Sequence, residues 1–377
     1  MKTVKILHCA DIHIGATESF LGTLAASRRI ETLMTFEKIV DLCLEKEVEL
    51  LAIAGDLFDS NSVEEGLVNA VFEKIASANP LKVVFAAGNH DPLNLQSPFV
   101  KRKIPQNLFV LGTQEEIITF EELSLKVYGR SFETAFLKGI ECPSIKAEGD
   151  GYIKLCVQHG ELKGDLNSQY NAITPSFIKA SGMDYIALGH IHKNTEIGKI
   201  GDTSFAYCGC PEGQGFDELQ EKGVLLGEIG KGICKLEFVP VSKRRHLFEK
   251  IDITHCTSTT EIVDSILKAL EERHGNSFGE NLYKIALTGE LSPDFVLDLP
   301  AVSARLSDSL YFVKVRDNTQ LKYDLSSLVK EQSLRGIFVK KMLDKIESSD
   351  VENRTKLEKA LDLGLRAFKA EVSYNED

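Results

Sequence analysis

Val4-Lys5-Ile6-Leu7-His8-Cys9-Ala10-Asp11-Ile12-His13 opens the chain with a strand-length apolar run that ends on a carboxylate and an imidazole two residues apart. The same arrangement returns four times. Val48 to Ala54 leads into Gly55-Asp56-Leu57-Phe58-Asp59, and Val83 to Ala87 into Gly88-Asn89-His90-Asp91. Tyr152 to Gln158 leads into His159-Gly160, and Tyr185 to Leu188 into Gly189-His190-Ile191-His192. Between the first three runs lie helical patterns: Leu33, Phe36, Val40 and Leu44 within residues 28–47, then Leu67, Val71 and Ile75. Alternating strands and helices predict an α/β arrangement. Each polar block then lies just past the C-terminal end of a strand, where open α/β sheets place their sites. Gly55, Gly88 and Gly189 stand before the polar residues and permit the sharp turns a crowded centre needs.

Five of the nine histidines fall in these blocks. With Asp11, Asp56 and Asn89 they supply enough donors for two divalent metals sharing one carboxylate. Mixed imidazole and carboxylate shells suit Mn²⁺, Fe²⁺ or Zn²⁺ better than Ca²⁺ or Mg²⁺ alone. Asp11 and His13, like His190 and His192, point to one side in extended backbone and can share a site. Asp56 is the natural bridging carboxylate, and Asn89 adds a neutral oxygen. Two such metals about 3.5–4 Å apart activate a hydroxide and clamp phosphoryl oxygens during in-line displacement, which is equipment for phosphoester cleavage. The charge that develops needs a donor. His90 can provide it as a cation or general acid, with Asp59 orienting the ring and favouring its protonated form. A single histidine at a strand end is ordinarily a hydrogen-bonded structural residue; the ordered series of five blocks carries the metal reading. His8 lies inside the first strand and reads as structural, and His246, His255 and His274 as surface or packing residues.

With 43% hydrophobic and 27% charged residues, the 377-residue chain has the composition of a globular protein of two or three units. No apolar run reaches the length of a membrane helix, and the N-terminus lacks a signal-peptide core, so a cytoplasmic protein without membrane association is expected. Of the eight cysteines, Cys9, Cys43 and Cys156 sit in apolar runs as small hydrophobes, and Cys208-Gly209-Cys210 is too isolated to indicate zinc. A net charge of −12 excludes a uniformly basic surface. Lys101-Arg102-Lys103 and Lys243-Arg244-Arg245 are short clusters that read as solvated surface or, less simply, as phosphate contacts, the second being the better placed.

Three segments are expected: a two-metal phosphoesterase domain over 1–241, a small α+β module over 242–325 and a helical tail over 326–377. In the module, Glu249 to Ile253, Leu282 to Leu287 and Tyr311 to Val315 are strand-like and 296–310 helical. Ser258-Thr259-Thr260-Glu261 is a capping-box pattern before a helix bearing Ile262, Ile266, Leu267 and Leu270. The tail carries two stripes, Leu334, Ile337, Phe338, Met342 and Ile346, then Leu357, Leu361, Leu365 and Phe368. They can dock a partner or pack on the chain's own core. The chain has no P-loop, so any ATPase activity must come from another chain.

The blocks match the pattern D-x-H, G-D-x-x-D, G-N-H-[DE], H-G, G-H-x-H, and the chain resembles the calcineurin-like metallophosphoesterases. Within them it looks most like the DNA-repair exonucleases of the SbcD type, on Ala10 to Gly15, Gly55 to Asp59 and the Tyr207-Cys208-Gly209-Cys210-Pro211 turn before Lys222-Gly223-Val224. The resemblance implies a four-layer α/β (α+β) fold whose two-sheet β core is flanked by helices, followed by an α+β capping, DNA-recognition module and C-terminal helices. It implies one metal on Asp11, His13, Asp56 and His192, another on Asp56, Asn89, His159 and His190, and His90 as the catalytic histidine. It further implies a Mn²⁺-dependent exo- or endonuclease in DNA repair, a homodimer, and an SbcC-like coiled-coil ATPase partner docked through 326–377. One departure is Asp59, where several of these nucleases carry a second histidine that favours exonuclease action. A phosphodiesterase or phosphatase for small phosphoesters is the alternative, and a non-catalytic scaffold a third reading that the intact ligand series opposes.

Overall fold

The computed structural model describes residues 2–137, 150–219, 221–292 and 295–368. Two compact units divide the chain, Met1–His246 and Leu247–Asp377, where three segments were expected. The first unit begins β1 (Thr3–Cys9), α1 (Ala25–Glu45), β2 (Leu50–Ile53), α2 (Glu65–Ser77), β3 (Lys82–Phe85), α3 (Pro98–Lys101) and β4 (Leu108–Val110). It continues through β5 (Glu116–Phe120), β6 (Leu125–Gly129), β7 (Ile153–His159), β8 (Glu161–Leu162), β9 (Ala172–Ile173) and α4 (Pro175–Ala180). Strands β10 (Tyr185–Gly189), β11 (Gly198–Ile200), β12 (Thr203–Tyr207), β13 (Gly223–Gly230) and β14 (Ile233–Pro240) complete it.

Two six-stranded sheets result, ordered β14-β13-β1-β2-β3-β4 and β11-β12-β10-β7-β6-β5. Strands β1 to β4 are parallel, as are β6, β7, β10 and β12; antiparallel strands flank each set. Period-two alternation sorts the apolar residues between layers. Leu7, Leu51, Ile53, Val83 and Phe85 join Phe36, Ile39 and Val40 of α1 and Val71 and Ile75 of α2 in one core. Ile6, Leu50, Ala52 and Val84 join Val127, Leu155, Val157 and Tyr185 of the second sheet in another. Beyond that sheet, Tyr128, Cys156, Ile186 and Leu188 pack with Ile173 of β9 and Ile178 of α4. These are the four layers expected; strand–helix alternation alone was equally compatible with one doubly wound sheet.

Small residues line the space between the sheets near the strand ends: Ala10, Ala54, Ala86 and Ala187 are all fully buried. They let β2 and β10 approach so closely that a Cβ on Gly189 would stand 1.9 Å from the Ala54 carbonyl oxygen. That contact brings the polar blocks of two different sheets to one place.

The second unit comprises β15 (His246–Asp252), α5 (Thr259–His274), β16 (Leu282–Thr288), β17 (Glu290–Leu291), α6 (Leu299–Leu306), β18 (Phe312–Asp317) and β19 (Gln320–Leu321). Helices α7 (Leu325–Leu328), α8 (Leu334–Glu347) and α9 (Val351–Ala367) follow. Ser258 caps α5 by accepting from Glu261 N, while Glu261 reaches back to Thr257 N instead of Ser258. The helix expected over 296–310 is shorter, starting at an Asp298 cap and ending at Leu306. The tail belongs to this unit: Asp362 accepts from Leu321 N at 3.3 Å, joining α9 to β19. Its stripes are divided. Val339, Ile346, Leu361 and Leu365 are buried between α8 and α9, whereas Leu334 and Ile337 are 73% and 55% exposed. Residues 369–377 of the expected tail lie outside the described residues.

Candidate metal centre

Every residue expected at the site belongs to a block at the C-terminal end of β1, β2, β3, β7 or β10. The backbone there is bent sharply: Asp11, His13, Asp56 and His190 adopt φ of 53°, 52°, 51° and 99°, a region costly for residues with a Cβ. Cross-strand hydrogen bonds hold the bends. Asp11 N donates to Gly55 O at 3.0 Å, and Ile12 N and His13 N both donate to Asp56 O at 2.9 Å. His190 N donates to both Asp11 carboxylate oxygens at 3.0 Å. His90 N donates to Asp56 Oδ1 at 2.9 Å. A Cβ on Gly88 would meet Asp56 Oδ1 at 2.2 Å, so only glycine allows this approach.

Asp11 and Asp56 are almost wholly buried, among imidazoles. The ligating atoms of Asp11, His13 and His192 lie within 4.8 Å of one another, as do those of Asp11, Asp56 and His159 and those of His13, Asp56 and His90. Asn89 Oδ1 joins the remaining residues, 2.9 Å from His159 Nε2 and 3.1 Å from His190 Nδ1. His13 Nε2 lies 3.8 Å, and His159 Nε2 3.3 Å, from the same Asp56 oxygen, Oδ2. His13 Nε2 and His192 Nε2 approach to 3.1 Å, where two imidazole lone pairs repel unless a proton or a cation stands between them. The donor set fits divalent cations. Burial opposes charge throughout the cluster, yet Asp56 and Asp11 push His159 up to about 9, and His159 and His13 hold Asp56 well below the usual carboxylate range. Burial and the neighbouring His159 push His190 down to about 4.

His90 stands at the edge, its side chain 44% exposed, over a cleft of about 350 Å³ that Asn89, Asp59, Phe136 and Tyr170 also line. The expected Asp59–His90 pairing takes a different form. The Asp59 main-chain carbonyl meets His90 Nδ1 at 3.1 Å, while its carboxylate lies 3.7 Å from His90 and closer, at 3.4 Å, to His13 Nδ1.

Two residues without an expected role are built into the centre. Asp91 is fully buried and accepts from the main-chain N–H groups of Asp56, Phe58 and Gly88 at 3.2, 3.0 and 2.8 Å. Its presence in the Gly88-Asn89-His90-Asp91 block was a usable signal. Glu218 Oε1 meets His192 Nδ1 at 2.5 Å from a turn-rich loop that carries no periodic signal. His8 is structural as expected: buried in β1, it shares a hydrogen bond with Tyr185 Oη at 2.9 Å, and burial pushes it down to about 3. The second basic cluster is committed to ion pairs, and in the first Arg102 is. Arg102 binds Glu65 at 2.5 Å, Arg244 forks onto Glu31 at 2.7–3.0 Å, and Lys243 Nζ reaches the same carboxylate at 3.1 Å. Their partners lie some 37 to 213 positions away in sequence, beyond any local pattern.

The family model for calcineurin-like phosphoesterases matches residues 4–194, and the chain belongs to that family of metal-dependent phosphoester hydrolases. It is 26% identical over 276 residues to the uncharacterized metallophosphoesterase YhaO of Bacillus subtilis, covering 69% of this chain and 66% of that one. It is 24% identical over 268 residues to the DNA double-strand break repair protein Mre11 of Methanopyrus kandleri, covering 65% and 58%. A shorter stretch of 116 residues is 34% identical to a subunit of the nuclease SbcCD of Rhodobacter capsulatus, covering 29% and 27%. Each alignment spans less than two thirds of the relative it matches. No helix among the described residues is long and apolar enough to cross a membrane.

Proposed function

We propose that this metallophosphoesterase is a DNA nuclease that hydrolyses phosphodiester bonds in DNA repair. The observation that carries the reading is the donor cluster itself: four histidines, the two buried carboxylates Asp11 and Asp56, and Asn89, with the exposed His90 over an open cleft. Likeness to proteins named as double-strand break repair and SbcCD nuclease subunits supports DNA as the substrate.

In this reading Asp11, His13, Asp56 and His192 hold one divalent metal, and Asp56, Asn89, His159 and His190 the other. When bound, such a pair, with Mn²⁺ the favoured ion, supplies Lewis-acid charge to the phosphoryl oxygens and lowers the pKa of the attacking water. The chain's own groups do the rest. Asp91 and the bent strand ends hold Asp56 in place, so that little reorganisation accompanies reaction. His90 donates a hydrogen bond or proton toward the phosphoryl or leaving oxygen, its ring fixed by the Asp59 carbonyl. Residues 242–325 serve as a DNA-recognition module. The exposed start of α8, Leu334 and Ile337, is the docking face for an SbcC-like ATPase, the chain acting as a homodimer in the cytoplasm. Introducing Leu334→Glu with Ile337→Glu should abolish co-purification of that ATPase, and unchanged co-purification rejects the docking face.

A second reading, a phosphoesterase for small substrates, draws on the cleft's volume, within the range of small-ligand pockets, and on the ion pairs that occupy the 243–245 cluster. Incubation with Mn²⁺ and either end-labelled duplex DNA or bis-p-nitrophenyl phosphate separates the two. The nuclease reading expects DNA cleavage. Turnover of the small ester with DNA left intact, even with the ATPase present, rejects it.

A further inference from the structure

We infer that Glu218 is a positioning residue for the metal centre: its carboxylate holds His192 by Nδ1 so that Nε2 is presented to the Asp11–His13 side. The inference rests on the metal-centre reading above and assigns a role to a residue some 26 positions beyond the last ligand block. Its two oxygens have separate duties. Oε1 meets His192 Nδ1 at 2.5 Å. Oε2 is taken up by its own loop, accepting from Gln214 N at 3.1 Å and Cys210 Sγ at 3.3 Å, with Lys222 Nζ at 3.5 Å. The carboxylate is therefore fixed before it touches the imidazole.

The loop is also tied to the His192 main chain and to the body of the unit. Lys222 Nζ donates to the His192 carbonyl at 2.9 Å, and Cys210 N to the same oxygen at 3.3 Å. Six residues before Glu218, Glu212 is buried and accepts from Arg28 of α1 at 2.7 Å, Thr35 at 2.6 Å and Lys243 N at 2.6 Å. Arg28, itself only 1% exposed, donates also to Gly213 O at 2.9 Å. Side-chain bonds, not a strand ladder, tie this loop to α1 and to the His192 main chain.

An imidazole that ligates through one nitrogen is oriented by whatever its other nitrogen meets, and a carboxylate there raises its basicity as a ligand. On the opposite side His159 turns Nδ1 to the neutral Ala54 carbonyl at 2.9 Å. Of these two histidines, His192 alone carries a carboxylate in that place at hydrogen-bonding distance.

The test is calorimetric titration of the metal-stripped full chain with Mn²⁺ alone, for wild type, Glu218→Ala and Glu218→Gln. Wild type should take up two ions. Glu218→Ala should weaken one of them about 10- to 100-fold and leave the other unchanged. Glu218→Gln keeps the shape and an acceptor oxygen and should recover part of that loss. Near-UV circular dichroism identifies the folded samples, and the isosteric Gln variant supplies the comparison where the Ala variant folds poorly. A lowered melting temperature with wild-type Mn²⁺ affinity in the folded variants makes Glu218 merely structural and overturns the inference alone. A wild-type chain that binds no Mn²⁺ overturns the metal-centre reading and the inference with it.

Discussion

The two halves of the donor cluster use the same residue types but are braced differently. On one side, His13 and His192 turn their Nδ1 atoms to carboxylates, Asp59 at 3.4 Å and Glu218 at 2.5 Å. On the other, His159 turns Nδ1 to the neutral Ala54 carbonyl at 2.9 Å, and His190, whose Nδ1 faces the fellow donor Asn89 at 3.1 Å, has Glu161 at 3.7 Å from its outward Nε2. One half has a carboxylate within 3.4 Å of each outward nitrogen; the other has a main-chain carbonyl on His159 and a carboxylate held off at 3.7 Å on His190. Charged acceptors make stronger hydrogen bonds than neutral ones, so a ligand's strength here depends on a partner the ligand motif does not contain.

The widest test removes what both halves share. Asp56→Asn should lower phosphodiester cleavage by more than about 10³-fold, the upper end for loss of a single electrostatic contact, and reduce Mn²⁺ uptake on both sides. Loss confined to one ion would show that Asp56 does not bridge the halves. His90→Asn should cost about 10²- to 10³-fold in kcat while calorimetry finds Mn²⁺ binding nearly unchanged, because His90 acts as donor outside both halves. Metal lost together with activity would place His90 among the ligands. Asp59→Asn keeps the main-chain carbonyl that holds His90 and removes the charge facing His13. It should weaken one Mn²⁺ about 10-fold and lower kcat far less than His90→Asn does. An equal fall in kcat would return Asp59 to the role of His90's partner.

The smallest effect concerns a histidine outside both halves. His8 and His159 are equally buried, but His8 has no carboxylate beside it and is pushed down to about 3, whereas Asp56 and Asp11 push His159 up to about 9. Folding keeps His8 neutral from its ordinary 6.5 down to about 3, while the unfolded chain takes up the proton near 6.5. Stability is therefore complete above that value and falls as pH drops below it. At about pH 5 the contribution is about 2 kcal/mol. In denaturant titrations, His8→Gln should lose about 2 kcal/mol less than wild type between about pH 7.5 and about pH 5. An identical pH slope would mean that His8 titrates as an exposed histidine.

Much of the centre was legible because its residues follow the ends of parallel strands, where apolar periodicity stops abruptly on Asp, Asn or His. The five strands bearing ligands were found on that signal. Less was legible elsewhere. Strand β5 pairs along one edge and carries Glu116, Ile117 and Thr119 among its mostly uncovered residues, so it offers little alternation to read. Helices α8 and α9 were evident, but not which residues they would cover. Val339, absent from the expected stripe, is fully buried, while Leu334 and Ile337 are exposed. A Cβ on Gly364 would meet Phe338 Cζ at 2.2 Å, so the line of closest packing is decided by a glycine on the neighbouring helix.

By itself the sequence determined the inventory: seven donors in a set order, each placed after a strand, together with His90 and the two-residue spacings that let Asp11 and His13, or His190 and His192, share a side. Periodicity can say this much because a residue's face depends only on its own element. Tertiary structure decided which nitrogen of each imidazole faces inward, that Asp59 turns its carboxylate to His13, that Asp91 gathers three backbone donors, and that Glu218 reaches His192. Those pairings depend on where loops return in space, and the loop around Glu212 is placed by contacts with α1 rather than by any pattern of its own.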